Sequence, residues 1–403
     1  MTRRSKKIFT VLLLIIALIP AASRGTNAAE SDDNLLGVRE GWSWPIVVIQ
    51  PPEGWESEAG NSIKLAMRTA EREISLNREA IRGREVTFMF SDISDPAELK
   101  TRLATWRAMK VGAIVTFADA GFNAVLGELC RDLGPSIVHS GGEDIPITSP
   151  ETGRPYPYLF ALELPYYARA NALAEAAFVE HPGESAAVFT DILSARLARG
   201  AELTSTFLKS RGMTPVDISA AAYRQDQFSP QIREMESGGT KIYICWLDAM
   251  ATLSIWQTLE RRNSGSVVYY SGPLRQILTD ADGIVTVDKD VLLERNPEGH
   301  RVIINKIRDA FDTVAGDPVT AARAYALATW AIEAYKAVGS GDTPRIALAL
   351  AEMRDIPLMD ETLDIDPGTH RPKSRKYGLL RIGNKHYESY GSVDVFSAET
   401  MEQ

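Results

Sequence analysis

The side chains with the most to offer chemically in this sequence are acids. Asp119 sits in "FADAG", Glu143 and Asp144 in "HSGGED", Asp191 in "FTDIL" and Asp248 in "CWLDAM". Carboxylates so placed could form an acid–base pair, hold a cation, or cap the N–H groups of a helix that follows. No Gly-x-Ser-x-Gly elbow, His-Glu-x-x-His or phosphate-binding glycine loop accompanies them. Pairing Asp119 with Glu143 for hydrolysis therefore has no substrate signal behind it, and an enzyme is not expected.

Metal and thiol chemistry are equally thin. Histidines 139, 181, 300, 370 and 386 lack the spacing of a zinc site. "LTDADGIVTVDKD" has Asp280, Asp282 and Gly283 in common with a calcium loop, but Leu278 stands where the first acid belongs and Lys289 where a bidentate Glu belongs. It reads better as a turn into a strand. Cys130 and Cys245 are the only cysteines, too few for a disulfide framework, and both lie in apolar patterns. They are expected to be unpaired core thiols. No cofactor is expected.

Arg3, Arg4, Lys6 and Lys7 precede an apolar run from Ile8 to Ala22 that is too short for a stable membrane span. Residues 1–29 are therefore expected to be a secretory signal peptide, with no cysteine to take a lipid, and 30–43 an acidic leader. The mature chain is expected to be soluble and periplasmic. Its formal charge of −9 becomes −14 once Arg3, Arg4, Lys6, Lys7 and Arg24 are removed, which argues against nucleic acid and anionic membrane surfaces as partners. The roughly 375 residues that remain exceed one ordinary core and suggest two lobes.

Apolar runs of strand length alternate with helical patterns along the chain. "PIVVIQ", "GREVTFMF", "VGAIVTFA" and "PSIVHSGG" are separated by segments such as "NSIKLAMRTAEREISLN", which sets Ile63, Ala66, Met67, Ala70 and Ile74 at helical spacing. A second series follows through "SAAVFTD", "VDISAAAY", "TKIYICW" and "SVVYYSG". Such alternation predicts parallel sheets covered by helices on both faces. Within it, "FSPQIREMESGG" offers Ser229 as a cap, Pro230 for the first helical position and Gly238-Gly239 as a left-handed exit. The C-terminal part reads as a polar tail with one strand, "KYGLLRI".

In this order, "SIKLAMRTAEREIS", "IRGREVTFMFSDISDPAEL", "LCRDLGPSIVHSGG", "YPYLFALELPYYARANALAEAA", "QDQFSPQIREMESGGTKIYI" and "DIDPGTHRPKSRKYGLLRI" carry a likeness from about Trp44 to Ile382. The chain resembles the type I periplasmic solute-binding proteins of ABC importers, the class that includes the leucine/isoleucine/valine-binding proteins. The resemblance implies an α/β, two-lobed fold with three hinge crossings, lobe 1 holding 44–161 and 284–360 and lobe 2 holding 162–283 and 361–403. It implies a monomer that closes over a small-molecule solute and delivers it to an ABC permease and ATPase.

Carried over by position, the family's ligand loops bring Ser140, Gly141 and Gly142 to the cleft as backbone donors, and Trp55, Phe117 and Trp246 as stacking surfaces. Asp119, Glu143, Asp191 and Asp248 would line its rim. Each has a plainer reading: the acids as solvated loop residues or helix caps, the aromatics as packing at strand ends. The loop that offers a hydroxyl to an amino-acid carboxylate reads Ala118-Asp119-Ala120-Gly121 here, and the ammonium-binding acid would fall near Leu274. Like charges at close range repel strongly at reduced dielectric, so a standard free amino acid is not expected. A neutral or cationic organic solute, or a metal complex, fits the acidic rim better. The alternatives are a ligand sensor of the same fold feeding a membrane partner, and a cation-binding protein.

Overall fold

The computed structural model describes residues 43–396, apart from 77–80, 141–146, 148, 150, 153, 166, 221–227, 273–276, 278–279, 289–296 and 359–360. The expected signal peptide and leader, and Gly141, Gly142, Glu143 and Asp144, lie outside the described residues.

The first sheet is built from β1 (Ser43–Ile49), β2 (Glu85–Ser91), β3 (Ala113–Thr116), β4 (Ser136–His139) and β5 (Leu159–Ala161), in the order β2-β1-β3-β4-β5. β1 pairs in parallel with β3, β3 with β4 and β4 with β5. Because side chains alternate across a strand, Ile46, Val48, Ala113, Val115, Val138 and Phe160 share one face and enter one core. Helix α1 (Glu58–Leu76) packs there through Ile63, Ala66, Met67, Ala70 and Ile74, the stripe its spacing predicts. α2 (Leu99–Ala108) and α3 (Ala120–Cys130) follow β2 and β3.

The second sheet contains β6 (Ser185–Asp191), β7 (Val216–Ala220), β8 (Thr240–Trp246), β9 (Val267–Tyr270) and β10 (Val285–Asp288). β6 pairs in parallel with β7 and β8, β8 with β9 and β9 with β10. One face carries α4 (Tyr167–Glu180) and α5 (Ala195–Ser210), the other α6 (Phe228–Ser237) and α7 (Ala249–Arg261). α6 begins at Phe228, so Ser229 and Pro230 lie within its first turn and not at the cap and first helical position expected of them. Its exit is the expected one, with Gly239 at φ +84, a conformation that costs glycine nothing.

α8 (Pro297–Phe311), α9 (Pro318–Val338) and α10 (Thr343–Ala351) return to the first core. Two small hairpins follow, β11 (Ile356–Leu358) with β12 (Glu361–Leu363) and β13 (Ile365–Asp366) with β14 (Arg371–Pro372). β15 (Ser374–Gly383) then adds antiparallel to β10, and β16 (His386–Phe396) antiparallel to β15. The fold is thus two lobes of mostly parallel sheet flanked by helices.

Three sequence expectations need correction. β10 belongs to the second sheet, so the return to lobe 1 falls after Asp288, not at 284. The 356–372 hairpins stay with lobe 1, where Ala161 N donates to His370 O at 3.2 Å, so the last crossing falls near Lys373, not at 361. The polar tail is a long second strand, β16, joined to β15 through Asn384 and Lys385 at φ +51 and +64. Two consecutive left-handed residues give the turn whose twist matches a hairpin.

Between the lobes, the first crossing (162–165) meets the last in a buried ion cluster. The Glu163 carboxylate accepts from Arg375 Nη1 at 3.0 Å, and both side chains are 1% exposed. Arg375 Nη1 also donates to Leu162 O, and Arg371 Nη1 to Glu163 O at 2.5 Å. Arg323, from α9, brings Nη2 to 3.7 Å from the other Glu163 oxygen. One carboxylate thus ties together the first crossing, the last crossing and the longest helix of lobe 1.

Cys130 and Cys245 are buried and unpaired, as the apolar patterns around them predict. Burial pushes the Cys130 thiol up to about 12 and that of Cys245 higher still, so neither ionises at neutral pH.

Candidate functional site

Parallel strands end in loops and helix N-termini, and ligands of open α/β sheets gather at those carboxyl ends. In lobe 1 the loop after β1 holds Trp55, whose Nε1 donates to Ser91 O at 3.1 Å and whose ring meets Phe90 edge-on at 5.2 Å. The indole is half-buried, with Lys64 Nζ 5.6 Å from its centre. Phe117, also half-buried, follows β3, and its N–H donates to Ile49 O. Thr116 Oγ1 donates to Asn123 Oδ1 at 2.6 Å while Asn123 Nδ2 donates to Ala118 O at 2.7 Å, which fixes the loop between β3 and α3.

Asp119 caps α3: its Oδ1 accepts from Phe122 N at 2.8 Å. Ser140 is half-buried at the end of β4, with its N–H committed to Thr116 O at 3.1 Å, so that backbone donor serves the sheet and not a ligand.

In lobe 2, Asp191 is 7% exposed and its Oδ1 accepts from Leu193 N at 2.9 Å, closing the turn that lets Ser194 cap α5. Asp248 caps α7 by accepting from Ala251 N at 2.7 Å. The acids therefore do what helix chemistry asks of them, and the positive N-terminal ends of α3 and α7 offset the charges of Asp119 and Asp248. A neutral or cationic solute inferred from unengaged rim acids loses the support of these two. Replacing Asp119 or Asp248 by Ala is expected to cost about 1 kcal/mol of stability each, read as a lower urea midpoint at pH 7.

Trp246 is a correction. It is fully buried in the core beneath α4 and α5, and its Nε1 donates to Thr204 Oγ1 at 2.9 Å. α5 lies so close that a Cβ on Gly200 would stand 2.2 Å from the indole. No surface of the ring is left for a solute.

Three polar groups at the same strand ends escaped the sequence reading. Tyr270, at the end of β9, is 2% exposed; burial pushes its phenol up to about 12, with Asp248 adding to the rise and Arg169 opposing it. Arg169, half-buried in the first turn of α4, donates from Nη1 to Ser271 O at 2.7 Å and from Nη2 to Val287 O at 3.3 Å. His139, at the end of β4, is wholly buried with neither ring nitrogen hydrogen-bonded. The signal for all three was a polar residue inside or beside an apolar run.

His139 carries a pH consequence. Burial, reinforced by the positive charge of Arg371, pushes its imidazole down to about 3 from an ordinary 6.5. Between those values the unfolded chain holds a proton that the folded chain refuses. The stabilisation from keeping the ring neutral is complete above about 6.5 and is lost as pH falls towards 3. Urea unfolding at pH 7, 5.5 and 4 is expected to show a flatter acid decline in His139→Leu than in the unaltered chain.

Among the described residues no three His, Cys, Asp or Glu side chains converge as metal ligands, and no helix is long and apolar enough to cross a membrane. Asp280 lies 3.4 Å from Lys385 Nζ.

A family model described as periplasmic binding protein matches residues 43–386. No curated protein matches the chain in sequence. Among solved structures, a protein from Rhodospirillum rubrum assigned as a branched-chain amino acid ABC transporter superposes with TM-score 0.68 at 14% identity, covering 86% of this chain and 100% of that one. A branched-chain amino acid ABC transporter periplasmic ligand-binding protein from Burkholderia xenovorans gives 0.63 at 14% identity, covering 87% and 95%. A solute-binding protein from R. palustris in complex with benzoate gives 0.52 at 16% identity, covering 89% and 98%. At these identities the likeness is one of fold.

Proposed function

Since the chain belongs to the periplasmic binding protein family, we propose that it captures a small solute between its lobes and hands it, chemically unchanged, to the permease and ATPase of an ABC importer in the membrane. The observation that carries this reading is the pair of parallel sheets, each ending in loops and capped helices, joined by crossings that meet in the Glu163 cluster. Two rigid bodies on a hinge can hold a solute by contacts that exist only when they close, and the solute then shifts that equilibrium.

The solute is not a standard free amino acid. The loop after β3 offers Asp119, engaged in capping, where an amino-acid carboxylate would need a hydroxyl. That a solved structure of the same fold holds benzoate, which carries no ammonium group, supports a receptor for a ligand of that kind. Solution scattering of the purified chain tests the reading. A saturating solute is expected to contract the molecule, and to be recovered intact; turnover of that solute, or a shape that no bound compound alters, would count against it.

A further inference from the structure

The carboxyl ends of the lobe 2 strands carry a cation whose hydrogen bonds go only to neutral carbonyls. Arg169 is held by Ser271 O and Val287 O, at the ends of β9 and β10, and its Nε is buried without a partner. Among the described residues no carboxylate stands within ion-pair distance of it. Elsewhere the chain treats enclosed guanidinium groups differently: Arg375 and Arg323 share the buried Glu163 carboxylate. A partly desolvated cation is costly without an anion, and guanidinium offers five donors of which carbonyls here take two.

The carbonyls that aim it are themselves fixed. Ser271 N donates to Cys245 O at 3.1 Å, and Thr286 Oγ1 donates to both Tyr270 O at 2.7 Å and Gly272 O at 2.9 Å. Gly272 has no room for a side chain, since a Cβ would stand 2.3 Å from the Tyr270 hydroxyl. Asp248, after β8, is occupied as the α7 cap.

Further along the same edge the character changes. Ile192 and Leu193, after β6, are 51% and 71% exposed, and Met250, in the first turn of α7 after β8, is 63% exposed. β6 pairs with β8 and β8 with β9. Two strand spacings, about 10 Å, therefore separate the cationic end from the apolar end. That is the length of a compact organic molecule with a charged head.

We propose that Arg169 receives the negatively charged group of the solute, and that the solute is a small organic acid whose apolar body lies along the carboxyl ends of β9, β8 and β6. This rests on the solute-capture reading and gives it a direction: the acid group is taken by lobe 2, through a side chain, and Ile192, Leu193 and Met250 cover the remainder. The planar fork of the guanidinium suits a carboxylate better than a point charge would.

The test is thermal shift and calorimetry on the mature chain with benzoate, cyclohexanecarboxylate and butyrate, each beside its amide, and with a second set of amines, alcohols and metal ions. At least one acid is expected to raise Tm while its amide does not. Arg169→Gln is expected to weaken that acid tenfold or more with little change in the ligand-free Tm, and Arg169→Lys to fall between. Equal shifts from acid and amide, or undiminished acid binding by the Gln variant, would overturn the assignment. If the Gln variant does not fold, the acid–amide contrast and the Lys variant decide it. If no acid binds but a member of the second set does, the anion assignment fails and solute capture stands; if nothing binds, both fail.

Discussion

Glu163→Ala is expected to lower the unfolding free energy by about 3–5 kcal/mol, the loss seen when one member of a buried ion pair is removed. The reason is asymmetry: Arg375, 1% exposed, keeps its charge after the carboxylate has gone, and Arg371 and Arg323 stand beside it. The deletion therefore leaves a concentration of like charge in a region of low dielectric. Glu163→Gln keeps the shape and one acceptor but not the charge, so it is expected to recover only part of the loss. Guanidinium melts of the three proteins at pH 7 measure this. A Gln variant as stable as the original would mean that the cluster is held by packing and by the carbonyls of Leu162 and Glu163, not by charge.

Trp246→Ala is the second large effect, expected to cost about 3–5 kcal/mol as a large aromatic is removed from a core that collapses only partly around the space. The indole fills a fitted slot, bounded by Gly200 on α5 and anchored to Thr204, and its removal also costs the hydrogen bond that the Thr204 hydroxyl accepts. Solute affinity, corrected for the unfolded fraction, is expected to change little, because the ring is fully buried in the core. A selective loss of affinity with unchanged stability would instead restore Trp246 as a ligand-stacking residue. A fluorescence response to solute is accordingly expected from Trp55, the half-buried ligand-site candidate in the β1 loop, and not from the buried Trp246.

Regular elements were legible in the sequence because their causes are local. The stripe Ile63, Ala66, Met67, Ala70, Ile74 is a property of one segment, and α1 buries all five. Trp246 could have been placed by the same kind of reasoning. It shares the parity of Ile242 and Ile244, and all three point into the core under α4 and α5. Acids after strands were ambiguous, since a carboxylate that caps a helix and one that binds a ligand occupy the same position in sequence; only the contact with Phe122 N or Ala251 N separates them. Glu163 and Arg375 were not legible at all. Their pairing spans 212 residues, and nothing near "LELP" announces that a guanidinium will arrive from β15. The lobe boundary at β10 failed for a related reason, as its strand neighbours are β9 and β15, and the choice of sheet is made by those distant partners.

The two entombed thiols set a race that the finished molecule no longer shows. Cys130 belongs to α3 in one lobe and Cys245 to β8 in the other, both sealed from solvent. In an oxidising compartment such sulfurs are vulnerable only while the polypeptide is still unfolded, when a crosslink between them would splice one lobe's helix to the other lobe's central strand. Acquisition of the native shape must therefore outpace the local oxidant, and once complete it shields both atoms without any guardian.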